Sequence, residues 1–244
     1  LDTAAGALHA QRVINATGSW GRPFVPTWAG LDRFVGRQLH TAQYRGPEEF
    51  VDQRVAVIGG GNSAAQILAE IAPVAAATRW ITRRAPRFMP ADVDGEVLFE
   101  LAGARRQAGG ARACGERLGD IVVTAAVERA RRERHLVAHQ PFTRFDGADL
   151  VWNGPGERWR ADAVLWCTGF RDDLRHLSGS GLRGAGARVP VQDGVSTIDP
   201  RFGFVGHGDW TGPFSNTIIG VGGYARVTTG LMGVEQMGAG RRDL

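Results

Sequence analysis

Three observations predict an α/β fold for this sequence, built on a strand–turn–helix–strand core. Residues 52–59 hold an apolar strand, Arg54-Val55-Ala56-Val57-Ile58, that runs into three glycines. Residues 62–72 carry Ala64, Ile67, Leu68 and Ile71 at helical spacing and stop at Pro73. Residues 78–82 form the next strand, so the unit closes within the roughly 30 residues that a parallel crossover needs.

The remaining elements follow the same logic. Arg12-Val13-Ile14-Asn15-Ala16 is a short apolar stretch closed by Thr17-Gly18, and Pro23, Pro26 and Gly30 mark an irregular connection. Residues 95–110 are expected to be helical from Glu96 to Gln107. Strands are expected at 121–127 and 136–139, with 149–152 pairing onto the latter. Residues 153–160 are a Gly- and Pro-rich turn, and 163–167 a buried strand ending at Thr168-Gly169. Residues 175–194 are expected to be a glycine-rich loop, 203–206 a last strand, and 216–238 a long weakly polar helix starting near Asn216 or Thr217.

Composition narrows the function classes. The 244 residues, 43% of them hydrophobic, suffice for one large domain or two small ones. The 35 glycines follow no triplet period, which excludes collagen and suits tight turns. All basic side chains are arginine, and the net charge is +4. The densest run, Arg129, Arg131, Arg132 and Arg134, is broken by Glu128 and Glu133, which indicates a solvated face and no nucleic-acid partner. Cys114 and Cys167 form no CxxC, against a dithiol redox centre. The six histidines lack ligand spacing, so no metal site is expected. No apolar run reaches about 18 residues, and no signal peptide is visible. The expectation is a cytoplasmic protein with no membrane partner, and a homo-oligomer is compatible with it. The chain begins with Leu1 and shows no strand–glycine turn–helix start, so it is expected to be an excerpt or a truncated product.

The chemistry concentrates at Gly59-Gly60-Gly61-Asn62-Ser63-Ala64, a G-x-G-x-x-A turn between a strand and a helix. Gly59 permits the tight turn, Gly61 lets backbone approach a pyrophosphate, and Ala64 lets the helix pack closely. The helix N-terminus then presents N–H groups to the phosphates. Alone, G-x-G is weak in so glycine-rich a chain. The strand before it, the helix after it and a second strand ending about 20 residues on make it specific. That second strand ends at Thr82-Arg83-Arg84, where an NAD site places a carboxylate. Arg83 and Arg84 suit a 2′-phosphate, so NADP(H) is expected over NAD(H).

At this point the sequence resembles the flavin-containing monooxygenases and the wider class B flavoprotein monooxygenases. Phe34-Val35-Gly36-Arg37-Gln38-Leu39-His40-Thr41-Ala42-Gln43-Tyr44 is similar to their F-x-G-x-x-x-H signature. Tyr44 stands where Baeyer–Villiger enzymes carry Trp, which leans toward heteroatom or N-hydroxylating relatives. Asn15-Ala16-Thr17-Gly18 and Leu165-Trp166-Cys167-Thr168-Gly169-Phe170 resemble the two interdomain linkers. Gly206-His207-Gly208-Asp209-Trp210 resembles the late flavin-contact segment. Together these cover most of residues 12–235.

The resemblance implies a Rossmann-like NADP(H)-binding domain inserted into the C-terminal part of an FAD-binding Rossmann-like domain. Residues 1–45 would be a remnant of the FAD domain and linker, 46–165 the NADP(H) domain, and 166–244 the C-terminal part of the FAD domain. The family's first FAD-binding G-x-G-x-x-G is missing before Ala16. The implied cofactors are NADP and FAD. The implied reaction is hydride transfer from NADPH to flavin, then oxygen transfer to a small organic or heteroatom substrate. His40 is expected to position the interface and NADP(H), to move a proton, or to pack. Asn62 is expected to reach the nicotinamide or flavin region or to cap its helix, and Ser63 to bind phosphate. Thr17, Thr168, Gly169, Gly208 and Asp209 complete the expected cofactor contacts, with Asp209 near the ribityl chain. Two alternatives stay open: a thioredoxin-reductase-like oxidoreductase without CxxC, and a non-catalytic NADP(H)-binding module.

Overall fold

A computed structural model describes residues 2–90, 120–154, 156–183, 188–212 and 214–234. In chain order its strands are β1 (Asp2–Thr3), β2 (Gly6–Ala7), β3 (Val13–Asn15), β4 (Arg37–His40), β5 (Arg54–Ile58), β6 (Ala77–Ile81) and β7 (Ala138–His139). They continue with β8 (Arg144–Asp146), β9 (Asp149–Val151), β10 (Arg158–Arg160), β11 (Ala163–Trp166), β12 (Val191–Gln192), β13 (Val195–Ser196) and β14 (Phe202–Phe204). The α-helices are α1 (Asn62–Ile71), α2 (Ala125–Arg132) and α3 (Ile218–Leu231). The chain divides into two compact units, one of residues 23–170 and one of residues 1–22 with 171–244.

The 23–170 unit is organised by a five-stranded sheet in the order β4-β11-β5-β6-β7. Every pairing in it is parallel. Strand side chains alternate between faces, and β5 divides accordingly. Val55 and Val57 join one core with Leu68, Ile71, Val127, Ala130 and Leu165. Ala56 and Ile58 join a second core with Phe34, Phe142, Phe145, Leu150, Val164 and Trp166. A parallel sheet buried on both faces needs apolar residues at consecutive positions, which is why β5 and β11 are continuous apolar runs in the sequence.

Helices α1 and α2 contribute to the first core. The second is covered by aromatic side chains and by the antiparallel sheet β10-β9-β8. Trp28 stacks on Phe142 with ring centroids 4.4 Å apart, and its Nε1 donates to the Phe142 carbonyl at 3.1 Å.

Several expected elements are corrected here. The strand expected at 121–127 shrinks to a single bridge from Ile121 to Phe88, and α2 begins at Ala125. The Thr124 side chain caps α2 by accepting from Val127 N–H, and Val127 and Ala130 are buried three residues apart, a helical spacing. Strand β9 pairs with β8 and β10, not with β7. The reason is local: Gly147, with φ 61°, allows a tight return from Asp146 to Asp149. Meanwhile β7 joins β6 at the edge of the main sheet. Residues 158–160, read as part of a turn, are strand β10. The helix expected at 95–110 lies outside the described residues.

The second unit carries a four-stranded sheet in the order β12-β13-β14-β3, with β3 parallel to β14. Leu174, Leu177, Leu182, Val189 and Phe204 form its core. The segment read as a 175–194 loop contains a 3-10 turn at Arg175–Leu177 and strand β12. Thr217 caps α3, its side chain accepting from Gly220 N–H at 3.0 Å. Ile218, Ile219 and Leu231 on α3 are exposed.

Candidate functional site

Strand β5 delivers the glycine turn. Gly59 has φ 144°, and a Cβ there would overlap the Cys167 carbonyl oxygen, so only glycine fits where β11 ends beside β5. The turn is fastened on the other side too. Gly59 N–H donates to the Ile81 carbonyl at 3.0 Å, and Trp80 Nε1 donates to the Gly59 carbonyl at 2.6 Å. Gly61 is different: a Cβ there would meet nothing within 4 Å. Its place is the N-cap of α1, without a side-chain cap, and the first helical bond runs from Ala65 N–H to the Gly61 carbonyl at 3.2 Å. The N–H groups of Asn62, Ser63 and Ala64 are therefore left without intrahelical acceptors. Ser63 is exposed, and Ala64 is buried against the sheet.

The Asn62 side chain caps nothing. It is the first residue of α1, and its amide reaches residues 120–122: Val122 N–H donates to Oδ1 at 2.8 Å and Nδ2 donates to the Asp120 carbonyl at 3.3 Å.

A cavity of about 830 Å³ opens over the ends of β5, β6 and β11. Gly59, Gly60, Thr82, Arg83, Arg84, Cys167 and Thr168 line it, which gathers two sequence-distant motifs into one place. Arg83 and Arg84 are exposed, and neither enters an ion pair among the described residues. Arg87 and Asp120 also line the cavity and are paired with each other, Nε to Oδ1 at 2.8 Å. The lining charge is thus positive, which favours an anionic ligand. An apolar side is formed by Phe24, Pro26, Trp28 and Pro141.

Of three further expected residues, Thr168 is on this wall, and Gly169 and His40 stand behind it. Thr168 Oγ1 donates to the Phe24 carbonyl. Gly169, with φ 77°, accepts the Phe24 N–H at 2.9 Å. His40 is buried at the end of β4, with Nε2 2.9 Å from the Gly169 carbonyl and Nδ1 3.2 Å from Ala42 N. A carbonyl accepts and an N–H donates, so His40 is the neutral tautomer with its proton on Nε2. Burial lowers its pKa below the ordinary 6.5, and the bond to Gly169 opposes that only in part. Burial likewise pushes the Cys167 thiol up to about 12, against a hydrogen bond with Thr41.

The other expected residues belong to the second unit. Thr17 Oγ1 lies 2.7 Å from the Asp173 carbonyl and 3.0 Å from Asn15 Oδ1. Gly208, with φ 73°, accepts from Thr211 N at 2.9 Å and from Ser215 Oγ at 3.0 Å. Asp209 lies in the 3-10 turn Gly208–Trp210. That unit also holds a partly buried network that sequence reasoning missed. His207 Nε2 donates to Asn15 Oδ1 at 2.7 Å, Asn15 Nδ2 donates to His176 Nε2 at 2.5 Å, and Asp172 Oδ1 lies 3.5 Å from His207 Nδ1. Burial lowers the His207 pKa and the Asp172 charge opposes it. These partners are up to 192 residues apart, so no spacing pattern announces them. The Arg87–Asp120 pair and the Asn62 clamp were missed for the same reason.

Comparison with known proteins fits this geometry. A family model described as pyridine nucleotide-disulphide oxidoreductase matches residues 1–98. A flavin-containing monooxygenase from Stenotrophomonas maltophilia is 42% identical, with a TM-score of 0.77 over 91% of this chain and 62% of that one. A double mutant described as a flavin monooxygenase from the same organism gives 41% and 0.79 over 94% of this chain and 65% of that one. A Baeyer-Villiger monooxygenase of Streptomyces coelicolor is 42% identical over 73 residues, 30% of this chain and 14% of the relative. The chain thus spans less than two thirds of the length of the relatives it matches. In sequence and fold this chain is thus similar to flavin-containing monooxygenases over the part of them that it spans.

Proposed function

We propose that the cavity at Gly59–Ala64 binds NADP(H), and that the chain serves an NADPH- and FAD-dependent monooxygenase acting on a small organic or heteroatom substrate. The observation that carries this reading is one cavity lined by both the glycine turn and Arg83–Arg84. The roles of the residues follow from their positions. Gly59 and Gly61 give backbone access to a pyrophosphate, and the N–H groups of Asn62, Ser63 and Ala64 supply donors at the positive end of the α1 dipole. Arg83 and Arg84 suit the 2′-phosphate by charge and by forked N–H geometry. Thr168 forms part of the wall, and His40, with both ring nitrogens engaged, holds the carbonyl of the adjoining Gly169 in place. Water exclusion falls to Phe24, Pro26 and Trp28.

Bound flavin would accept hydride from NADPH and supply the oxygen chemistry. In the second unit, Thr17, Gly208 and Asp209 are the residues offered to it. The Gly208 carbonyl is pinned by Thr211 and Ser215, so that turn is set before any ligand arrives. Among the described residues no helix is long and apolar enough to cross a membrane, and a cytoplasmic location suits two cysteines without a CxxC.

The test is spectroscopic. The chain is purified with added FAD, and its visible flavin absorbance is followed when NADPH is added without oxygen. Retained flavin that bleaches with NADPH supports the monooxygenase reading. Tight NADPH binding with no retained flavin contradicts it for this polypeptide and leaves a nucleotide-binding module.

A further inference from the structure

The Asn62 amide is spent on holding another segment. Its Oδ1 takes the Val122 N–H and its Nδ2 binds the Asp120 carbonyl. The gripped segment is itself bridged to residues 87–89: Ile121 N–H donates to the Arg87 carbonyl and Met89 N–H to the Ile121 carbonyl, both at 2.8 Å. The Asp120 carboxylate then holds Arg87 Nε at 2.8 Å. Both side chains line the cavity beside Arg83 and Arg84. One amide at the start of α1 is thus linked, through two backbone bonds and an ion pair, to the place where a third guanidinium stands.

The ion pair does not hold that position by itself. The Arg87 side chain is 61% exposed, and exposed pairs contribute little on their own. The backbone of 120–122 must be fixed first. Its release would let the bridged 87–89 and 120–122 segments shift together against α1, so that the Arg87–Asp120 pair loses its register with Arg83 and Arg84. Any phosphate in the cavity loses attraction from that, and a ligand carrying a second, 2′-phosphate loses most.

We propose that Asn62 is a positioning residue for nucleotide selectivity, holding the Arg87–Asp120 pair in register with Arg83 and Arg84 so that the cavity prefers a 2′-phosphorylated dinucleotide. This rests on the NADP(H) reading above. The probes are 2′,5′-ADP and 5′-AMP, titrated calorimetrically into the 244-residue chain and its variants. Asn62→Ala lowers the preference for 2′,5′-ADP about tenfold, the size of one charge-assisted hydrogen bond. Its 5′-AMP affinity falls by less than its 2′,5′-ADP affinity, and the ratio of the two is the readout. Asn62→Asp keeps the acceptor for Val122 N–H but turns a carboxylate oxygen on the Asp120 carbonyl, so it lowers the preference as well. Asn62→Ala combined with Arg87→Ala loses no more than Arg87→Ala alone, because the two act through one guanidinium. An unchanged preference in Asn62→Ala, an equal loss for both probes, or multiplying losses in the double variant overturns the proposal alone. A parent chain that binds the two probes alike overturns the NADP(H) reading, and this inference with it.

Discussion

Gly59 and Gly61 are two residues apart and have the same side chain, but their neighbours give them different duties. Gly59 sits at φ 144° against the Cys167 carbonyl, while Gly61 faces open space. The expected outcomes of alanine substitution therefore separate. Gly59→Ala forces strain and a clash, and should cost about 2–3 kcal/mol of unfolding free energy in a urea titration. Gly61→Ala should leave the urea midpoint near that of the parent and weaken dinucleotide binding, because the added methyl stands only in the ligand's way. If both variants lost stability equally, the assignment of Gly61 to ligand approach would be wrong. The motif G-x-G-x-x-A was legible from the sequence because its chemistry is local. The partner that makes Gly59 obligatory, Cys167, was legible only as a strand end, since nothing in its spacing shows which turn it passes.

At the scale of elements, β4 and the end of β11 are tied by His40 bonding the Gly169 carbonyl. That tie carries a pH signature. His40 has a lowered pKa in the fold, from burial, so the unfolded chain binds the proton more readily. Stability from the neutral ring is present above the ordinary value of 6.5 and is lost as pH falls below it toward the folded value. His207, lowered also by burial, adds to the same trend in the other unit. The urea midpoint should fall between pH 7.5 and pH 5.5, and His40→Gln should flatten part of that dependence. A midpoint that rises on acidification would contradict a His40 ring held neutral by burial. The elements themselves were readable where burial is two-sided or amphipathic, as in β5, α1 and β11. They were misread between 121 and 160. There Thr124 capping turns an apolar run into α2, and Gly147 closes a hairpin that competes for the strand expected to pair with β7.

At the scale of the molecule, the two units divide the expected cofactor residues between them. The 23–170 unit gathers Gly59, Arg83, Arg84 and Thr168 on one cavity, and the other unit keeps Thr17, Gly208 and Asp209. The first grouping follows from the parallel sheet, because the C-terminal ends of β5, β6 and β11 all emerge on one edge, where open α/β sheets bind ligands. The central claim is that this edge selects a 2′-phosphorylated nicotinamide dinucleotide. Its most direct test is a calorimetric titration of the chain with NADP+ and NAD+ under identical salt. Binding of NADP+ at least about tenfold tighter, with the difference abolished in Arg83→Ala combined with Arg84→Ala, is the predicted result. Equal affinity for the two dinucleotides, or a preference that survives loss of both arginines, would contradict it.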